Sequence, residues 1–136
     1  MKRVNMPHLS FEYSPGLETL ADLPAFAAAM RDAMATTGLF PLGGIRVRGH
    51  KADVCLVADG GPHQFMDIVV RLGAGRSLEA RKAAAEAIYT AAAAFLKPCA
   101  AGSAFALSLE MREFDPELSI KRFNSIHEHL QARSKS

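Results

Sequence analysis

The chain has no tryptophan, two tyrosines, two cysteines and no long apolar run. A membrane-spanning helix needs about 18 or more consecutive apolar residues, and no such stretch occurs. Cys55 and Cys99 do not form a Cys-x-x-Cys pair, so neither a disulfide scaffold nor a zinc site is indicated. The scarcity of aromatic residues also argues against a protein that stacks nucleic-acid bases. We therefore expect a protein of the reducing cytoplasm, with neither a membrane nor a nucleic acid as partner.

The net charge of the chain is also small. The 136 residues carry 16 Lys and Arg against 14 Asp and Glu, a formal net charge of +2. Such a surplus is too small to hold a polyanion by charge alone. The hydrophobic content of 49% is that of one globular domain. The positions of a few arginines therefore matter more than their number.

The first part of the chain predicts a strand followed by a helix. Apolar and polar residues alternate over residues 8–13, as in a strand with one buried face. Asp22 is placed to cap a helix that begins near Leu23, and Gly38 is placed to end it.

The middle of the chain predicts two more strands. Residues 45–58 alternate again, but the apolar positions change parity within the run, so we expect a β-bulge at Gly49. The sequence Asp-Gly-Gly-Pro at residues 59–62 predicts a hairpin turn. Residues 64–72 then form a strand that is apolar on both faces, as in the interior of a sheet.

The last part of the chain repeats the strand, helix, strand order. Ser77 is placed to cap an alanine-rich helix, whose expected buried stripe includes Leu78 and Ile88, and Pro98 ends it. A strand follows over residues 105–111, and a partly helical tail begins near residue 115.

These elements predict an α/β (α+β) fold made of two β-α-β repeats. Two helices would cover one face of a four-stranded sheet, with the first strands of the two repeats side by side at its centre. The other face has no helix to cover it. Because Val54 and Leu56 are available to that face, we expect it to contact another copy of the chain.

Met6-Pro7, directly before the first strand, is the first candidate for chemistry. If translation starts at Met6 and that methionine is removed, Pro7 carries a free secondary amine that titrates near neutral pH. Such an amine is a suitable general base. If Met1 is retained, the same nitrogen belongs to an amide and has no basicity. The residues alone leave both alternatives open.

Two further segments could bind an anion. Arg46 and Arg48 share one face of the second strand, and arginine binds carboxylates through two parallel hydrogen bonds. The alternative for that face is ordinary solvation. Gly-Ala-Gly-Arg-Ser at residues 73–77 precedes a helix N-terminus, which favours anions, and Arg76 adds a charge. It matches neither a dinucleotide fingerprint nor a P-loop, and a tight turn with a surface arginine is the alternative.

Four segments of the chain together form a recognisable pattern. They are MPHLSFEYS at residues 6–14, TGLFPLGGIR at residues 37–46, ADG at residues 58–60 and LGAGRSLE at residues 72–79. This pattern resembles the 5-carboxymethyl-2-hydroxymuconate Δ-isomerases of the tautomerase superfamily. The resemblance extends from Met6 to about Phe123, nearly the whole chain.

The resemblance implies a homotrimer whose amino-terminal proline is the catalytic base, a role that falls on Pro7. It gives Arg46 and Arg76 the role of the family's arginines, and Arg48, two residues from Arg46, is a further candidate substrate ligand. The implied substrate is an unsaturated dicarboxylate or tricarboxylate of bacterial aromatic degradation. The resemblance implies that neither a metal nor a cofactor takes part.

The five residues before Met6 match nothing in that family. We therefore expect translation to start at Met6, so that residues 1–6 are an extension that the active protein lacks and residues 7–136 form a single domain. The expected function is an isomerase that moves a double bond by proton transfer. The alternatives are another tautomerase-superfamily reaction on a related enol acid, or a catalytically silent anion-binding trimer if the extension is retained.

Overall fold

A computed structural model describes residues 6–134, so the expected extension lies outside the described residues except for Met6. Within these residues, four strands and four helices follow one another. In chain order these are β1 (His8–Tyr13), α1 (Leu17–Leu20), α2 (Leu23–Thr36), β2 (Arg46–Lys51), β3 (Gln64–Leu72), α3 (Leu78–Leu96), β4 (Phe105–Glu113) and α4 (Ile126–Ser134). Short 3₁₀ turns lie at Leu42–Gly44 and Lys97–Ala101.

The four strands form one mixed sheet in the order β2-β1-β3-β4. β1 pairs in parallel with β2 and antiparallel with β3, and β3 pairs in parallel with β4. Each parallel pair is joined through a helix, α2 in the first half and α3 in the second. This arrangement confirms the two predicted β-α-β repeats, with their first strands side by side at the centre of the sheet.

The core lies between one face of the sheet and the helices α2 and α3. Alternate residues of β1 and β3 are buried there, because neighbouring strand residues point to opposite faces. Phe26 of α2 is fully buried, and its ring centroid lies 5.1 Å from that of Phe11 and 5.4 Å from that of Phe95. Phe26 therefore joins the sheet to both helices.

Both long helices begin at the predicted caps. The side chain of Asp22 accepts a hydrogen bond from the Ala25 amide at 3.0 Å, and Ser77 accepts one from the Ala80 amide at 3.1 Å. Each bond satisfies an amide that has no partner within its helix. Gly38, just after α2, has a φ of 76°, a backbone conformation that favours glycine.

The predicted second strand, over residues 45–58, is too long. The predictions of a bulge at Gly49 and of a hairpin at residues 59–62 are wrong. β2 ends at Lys51, and its register with β1 continues without interruption through Gly49. A turn does form here, but at residues 57–60, where the Gly60 amide donates to the Val57 carbonyl at 2.9 Å. However, β1 lies between β2 and β3, so the chain must leave the sheet after β2 and pass over the end of β1.

The face of the sheet opposite the helices is also different from the expected one. Val54 and Leu56 lie in the loop after β2, where they are 96% and 83% exposed. The open face instead carries mainly polar side chains, because it takes the alternate positions of each strand, such as Ser10 of β1, Asp67 of β3 and Ser108 of β4. An apolar contact face is therefore not present on the sheet itself.

Gly49 leads to a prediction about stability. A Cβ atom at this position would overlap the ring of Phe11, which is itself buried against Phe26. We expect Gly49→Ala to lower the free energy of unfolding by about 1–3 kcal/mol, the usual cost of overpacking. Urea denaturation measures this change. Gly102→Ala is the matched control, because a Cβ there meets nothing within 4 Å, and equal midpoints for the two variants would contradict the prediction.

Candidate active site

The starts of β1 and β2 and the ends of β3 and β4 lie together at one edge of the sheet. The Arg46 amide, at the start of β2, donates to the Pro7 carbonyl at 3.0 Å. The Phe114 amide, just after β4, donates to the carbonyl of Leu72, the last residue of β3, at 2.7 Å. Because β1 runs antiparallel to β3, its beginning lies beside the end of β3. Residues that are distant in the sequence are thus brought to one place.

Pro7 is fully buried at this edge. Proline has no N–H group, so its position at the start of a central strand leaves no donor unsatisfied. In the chain as described, the Pro7 nitrogen is bonded to Met6, which is half-buried and lines a groove.

That groove has a volume of about 590 Å³, a size that suits a small molecule. It is lined by Met6, His8, Arg71, Phe114 and residues 119–123 of the tail. The lining includes three cationic side chains, which are those of Arg71, Lys121 and Arg122. The tail therefore provides one wall of the groove, and the sheet edge provides the other.

His8 contributes an uncharged side chain to the groove. Burial, and then the positive charges of Arg48, Arg71, Arg46 and Lys121, lower the pKa of His8 to about 4. The imidazole is consequently neutral at pH 7. Arg48 Nη1 donates to His8 Nδ1 at 2.9 Å, and since arginine can only donate, Nδ1 is the acceptor. The proton of the neutral ring is then on Nε2.

Arg48 is held against β1 through this contact. Its Nη2 atom also donates to the Ser10 hydroxyl at 3.2 Å, on the open face of the sheet. The structure thus brings Arg48 to His8, the residue that follows Pro7.

Arg46 is held by the loop that precedes β2. Its Nη1 atom donates to the carbonyl oxygens of Gly43 and Ile45 at 3.1 and 3.2 Å. Backbone carbonyls carry no net charge, and no carboxylate of residues 6–134 forms an ion pair with this guanidinium. Its positive charge is therefore oriented but not neutralised.

Arg76 is anchored in the same way. Its Nη2 atom donates to the Leu39 carbonyl at 2.6 Å, and its Nη1 atom lies 3.4 Å from the Gly73 carbonyl. It thereby connects the loop after β3 with the loop before β2, and both loops lie at the Pro7 edge. Within the described part of the chain, no carboxylate neutralises this arginine either.

The loop that carries Arg76 is fastened to the end of β4 by Glu113. One Glu113 oxygen lies 3.3 Å from Arg81 Nη1, and the other accepts from the Gly75 amide at 3.3 Å. Arg81 Nε in turn donates to the Arg76 carbonyl at 3.3 Å. This acidic side chain is thus paired within the protein and does not neutralise Arg76.

The lining of this groove includes none of the predicted site residues, which are Pro7, Arg46, Arg48 and Arg76. Arg71, Phe114 and Lys121 line it, yet none was a candidate from the sequence. Arg71 did offer a signal, because it is a charged residue near the end of an otherwise apolar run at residues 68–72. As for metals, the described residues contain no group of three or more His, Cys, Asp or Glu side chains that could bind an ion.

Two β-α-β repeats that form a four-stranded sheet, with helices on one face, define the tautomerase-like fold. A solved structure described as a fused 4-OT wild-type symmetric trimer has this fold, with a TM-score of 0.65 and 21% identity, over 86% of this chain and 95% of that chain. The chain therefore has the fold of the tautomerase superfamily.

The comparisons also identify the family. The model of the 5-carboxymethyl-2-hydroxymuconate isomerase family matches residues 7–130. The 5-carboxymethyl-2-hydroxymuconate Delta-isomerase of Escherichia coli is 37% identical over 124 residues, which are 90% of this chain and 97% of the relative. A crystal structure of a 5-carboxymethyl-2-hydroxymuconate delta-isomerase has a TM-score of 0.87 and 30% identity, over 93% of each chain. The chain belongs to this family and is an intramolecular isomerase.

Proposed function

We propose that this isomerase moves a double bond in 5-carboxymethyl-2-hydroxymuconate, or in a similar unsaturated dicarboxylic or tricarboxylic acid of bacterial aromatic catabolism. The observation that carries the proposal is the position of Pro7, buried beside a groove that three cationic side chains line. A small polyanionic acid is complementary to such a groove in both size and charge.

The proposed general base is the amine of Pro7. Translation from Met6, followed by removal of that methionine, converts the Pro7 amide into a secondary amine, and residues 7–136 are then the working domain. Because Met6 lines the groove, its removal opens the groove toward the new amine. A free α-amino group titrates near pH 7.7–8, and nearby positive charges favour its neutral form. One such group can take a proton from one carbon and return it to another.

Arg46 and Arg76 are the proposed carboxylate ligands. Moving the double bond places negative charge on a dienolate oxygen, and fixed guanidinium groups stabilise that charge. Both side chains are already held by backbone carbonyls, so little freedom is lost when the substrate binds. Arg48, which contacts His8, is a further proposed ligand at the flank of the site. The chemistry requires neither a metal nor a cofactor, because the amine and the arginines perform each step.

We propose further that the protein is a homotrimer of the cytoplasm. The helices pack on one face of the sheet, polar side chains such as Asp67 and Ser108 are exposed on the other, and a fused 4-OT structure with this fold is described as a symmetric trimer. Cys55 and Cys99 are both free thiols, as in a reducing compartment. Among residues 6–134 no helix is both long and apolar enough to cross a membrane.

Turnover of the muconate tests the proposal directly. Protein that begins at Pro7 should convert 5-carboxymethyl-2-hydroxymuconate, followed by its ultraviolet absorbance, with a kcat/KM at least about 10-fold above that for phenylenolpyruvate or an acetylenic acid. Faster conversion of one of those acids would favour another tautomerase-superfamily reaction. Binding of the muconate without any acceleration over buffer would favour a catalytically silent anion-binding protein.

A further inference from the structure

One aromatic ring in the groove contacts two positive charges. The Lys121 ammonium lies 3.1 Å from the centroid of the Phe114 ring, and Cζ of Arg71 lies 5.2 Å from the same centroid. An aromatic face attracts each cation, but the two cations repel one another. The pKa of Lys121 is lowered by burial and then by the Arg71 guanidinium, as expected for such a pair.

No carboxylate of the described chain forms an ion pair with either cation. Arg112 shows the contrast, since it is the register partner of Arg71 on β4 and binds Glu110 at 2.6 Å. Two arginines at matching positions of neighbouring strands therefore differ, one being neutralised and the other not. The unneutralised one is the arginine that lines the groove.

We propose that Arg71 and Lys121 form a second carboxylate subsite, and that this subsite selects substrates with a third carboxylate. The inference rests on the proposed function. The muconate has a carboxylate at each end of its chain and another on its carboxymethyl arm, whereas Arg46 and Arg76 account for two. The planar guanidinium binds a carboxylate through two hydrogen bonds, and the ammonium adds a point charge.

Two neighbouring groups support this subsite. Phe114 holds both cationic head groups in place, which reduces the freedom that binding would otherwise remove. His8 lines the same groove and is neutral, and its Nε2–H is the ring donor that Arg48 leaves free for a carboxylate.

The test compares two substrates in charge-neutral variants. In Arg71→Gln and in Lys121→Gln, the KM for 5-carboxymethyl-2-hydroxymuconate should rise about 10-fold, because a charge-assisted hydrogen bond is lost. The kcat should change by less than about 2-fold, as should the KM for 2-hydroxymuconate, which lacks the carboxymethyl arm. Arg112→Gln removes the same formal charge one strand away and should leave both KM values unchanged.

Two outcomes would overturn the subsite while leaving the proposed function intact. One is an equal change in KM for both substrates in the Arg71 and Lys121 variants. The other is a rise in KM for Arg112→Gln that equals the rise for those variants. If the wild type converts neither substrate, the proposed function fails, and calorimetry with propane-1,2,3-tricarboxylate and glutarate decides the subsite by itself. The wild type should prefer the tricarboxylate, and both variants should lose that preference. A wild type without the preference would refute the subsite.

Discussion

A protein that begins at Pro7 is expected to isomerise the muconate about 10²–10⁴ times faster than a protein that keeps residues 1–6. This range is the usual contribution of a positioned general base. In the longer protein the Pro7 nitrogen is an amide and cannot take up a proton near neutral pH. Met6 also lines the groove in the longer protein, so the pH dependence of the rate is needed to separate the amine from the open groove.

The measurement requires both proteins, with the first residue of each established by intact mass. Circular dichroism and sedimentation should agree for the two, which shows that the extension alters neither fold nor assembly. A third protein, Pro7→Ala with alanine as its first residue, keeps an amine in a less rigid setting and should have an intermediate rate. The rate of the Pro7 protein should rise with pH as the amine loses its proton, whereas the longer protein should show no such rise. Equal rates for the short and long proteins would exclude Pro7 as the base.

Neutral replacement of either loop-anchored arginine is expected to have the next largest effect. We expect Arg46→Gln and Arg76→Gln to lower kcat/KM for the muconate by about 10²–10³-fold, comparable with loss of a donor that stabilises a developing anion. Arg76→Lys should recover only part of the loss, since an ammonium cannot bind a carboxylate through two parallel bonds. Steady-state kinetics at saturating and limiting substrate separates the effect on kcat from that on KM.

A control is needed because both arginines also hold loop carbonyls. Arg31→Gln is suitable, because Arg31 is an exposed residue of α2 that pairs with the adjacent Asp32 at 2.9 Å. Its kcat/KM should equal that of the wild type. Thermal unfolding of all variants then shows whether the assay temperature lies below each transition. A loss for Arg76→Gln no larger than that for Arg31→Gln would remove Arg76 from the site.

The helices and the order of the strands could be predicted because their signals are local or follow from chain handedness. Asp22 and Ser77 cap helices whose apolar periodicity lies in the adjacent residues. The central pairing of β1 with β3 follows from right-handed β-α-β crossovers. The prediction of the buried stripe of α3 was less accurate, since Leu78 is 56% exposed although its position fits the helical period.

The end of β2 could not be predicted, because it depends on a partner that is distant in the sequence. Ala52, Val54 and Leu56 share one parity, as the residues of one strand face do, yet they lie in a loop. The strand stops at Lys51 because its partner β1 ends at the paired residue Tyr13, and β3 pairs with β1 and not with β2. Periodicity describes the faces of a segment and contains no information about its neighbour in the sheet.

The candidate site was predictable to a similar extent. Pro7, Arg46 and Arg76 are predictions from local motifs and from the family resemblance, and the strand topology brings their segments to one edge of the sheet. Lys121 has no such motif, since it lies in a tail without clear periodicity. It contributes to the groove only because the chain after β4 returns to the Phe114 ring. Tertiary contacts of this kind leave no trace in the order of residues.

The position of Pro7 at the start of a central strand would restrict the motion of an amino terminus at this residue. Chain ends are usually mobile. A mobile terminal amine would sample many orientations, and each reaction would lose entropy when the amine is oriented. Here the Pro7 carbonyl accepts a hydrogen bond from the Arg46 amide. The next residue, His8, is paired with residues of both β2 and β3. The proline ring fixes the remaining φ angle. A terminal nitrogen in this position would be as immobile as a side chain in the core.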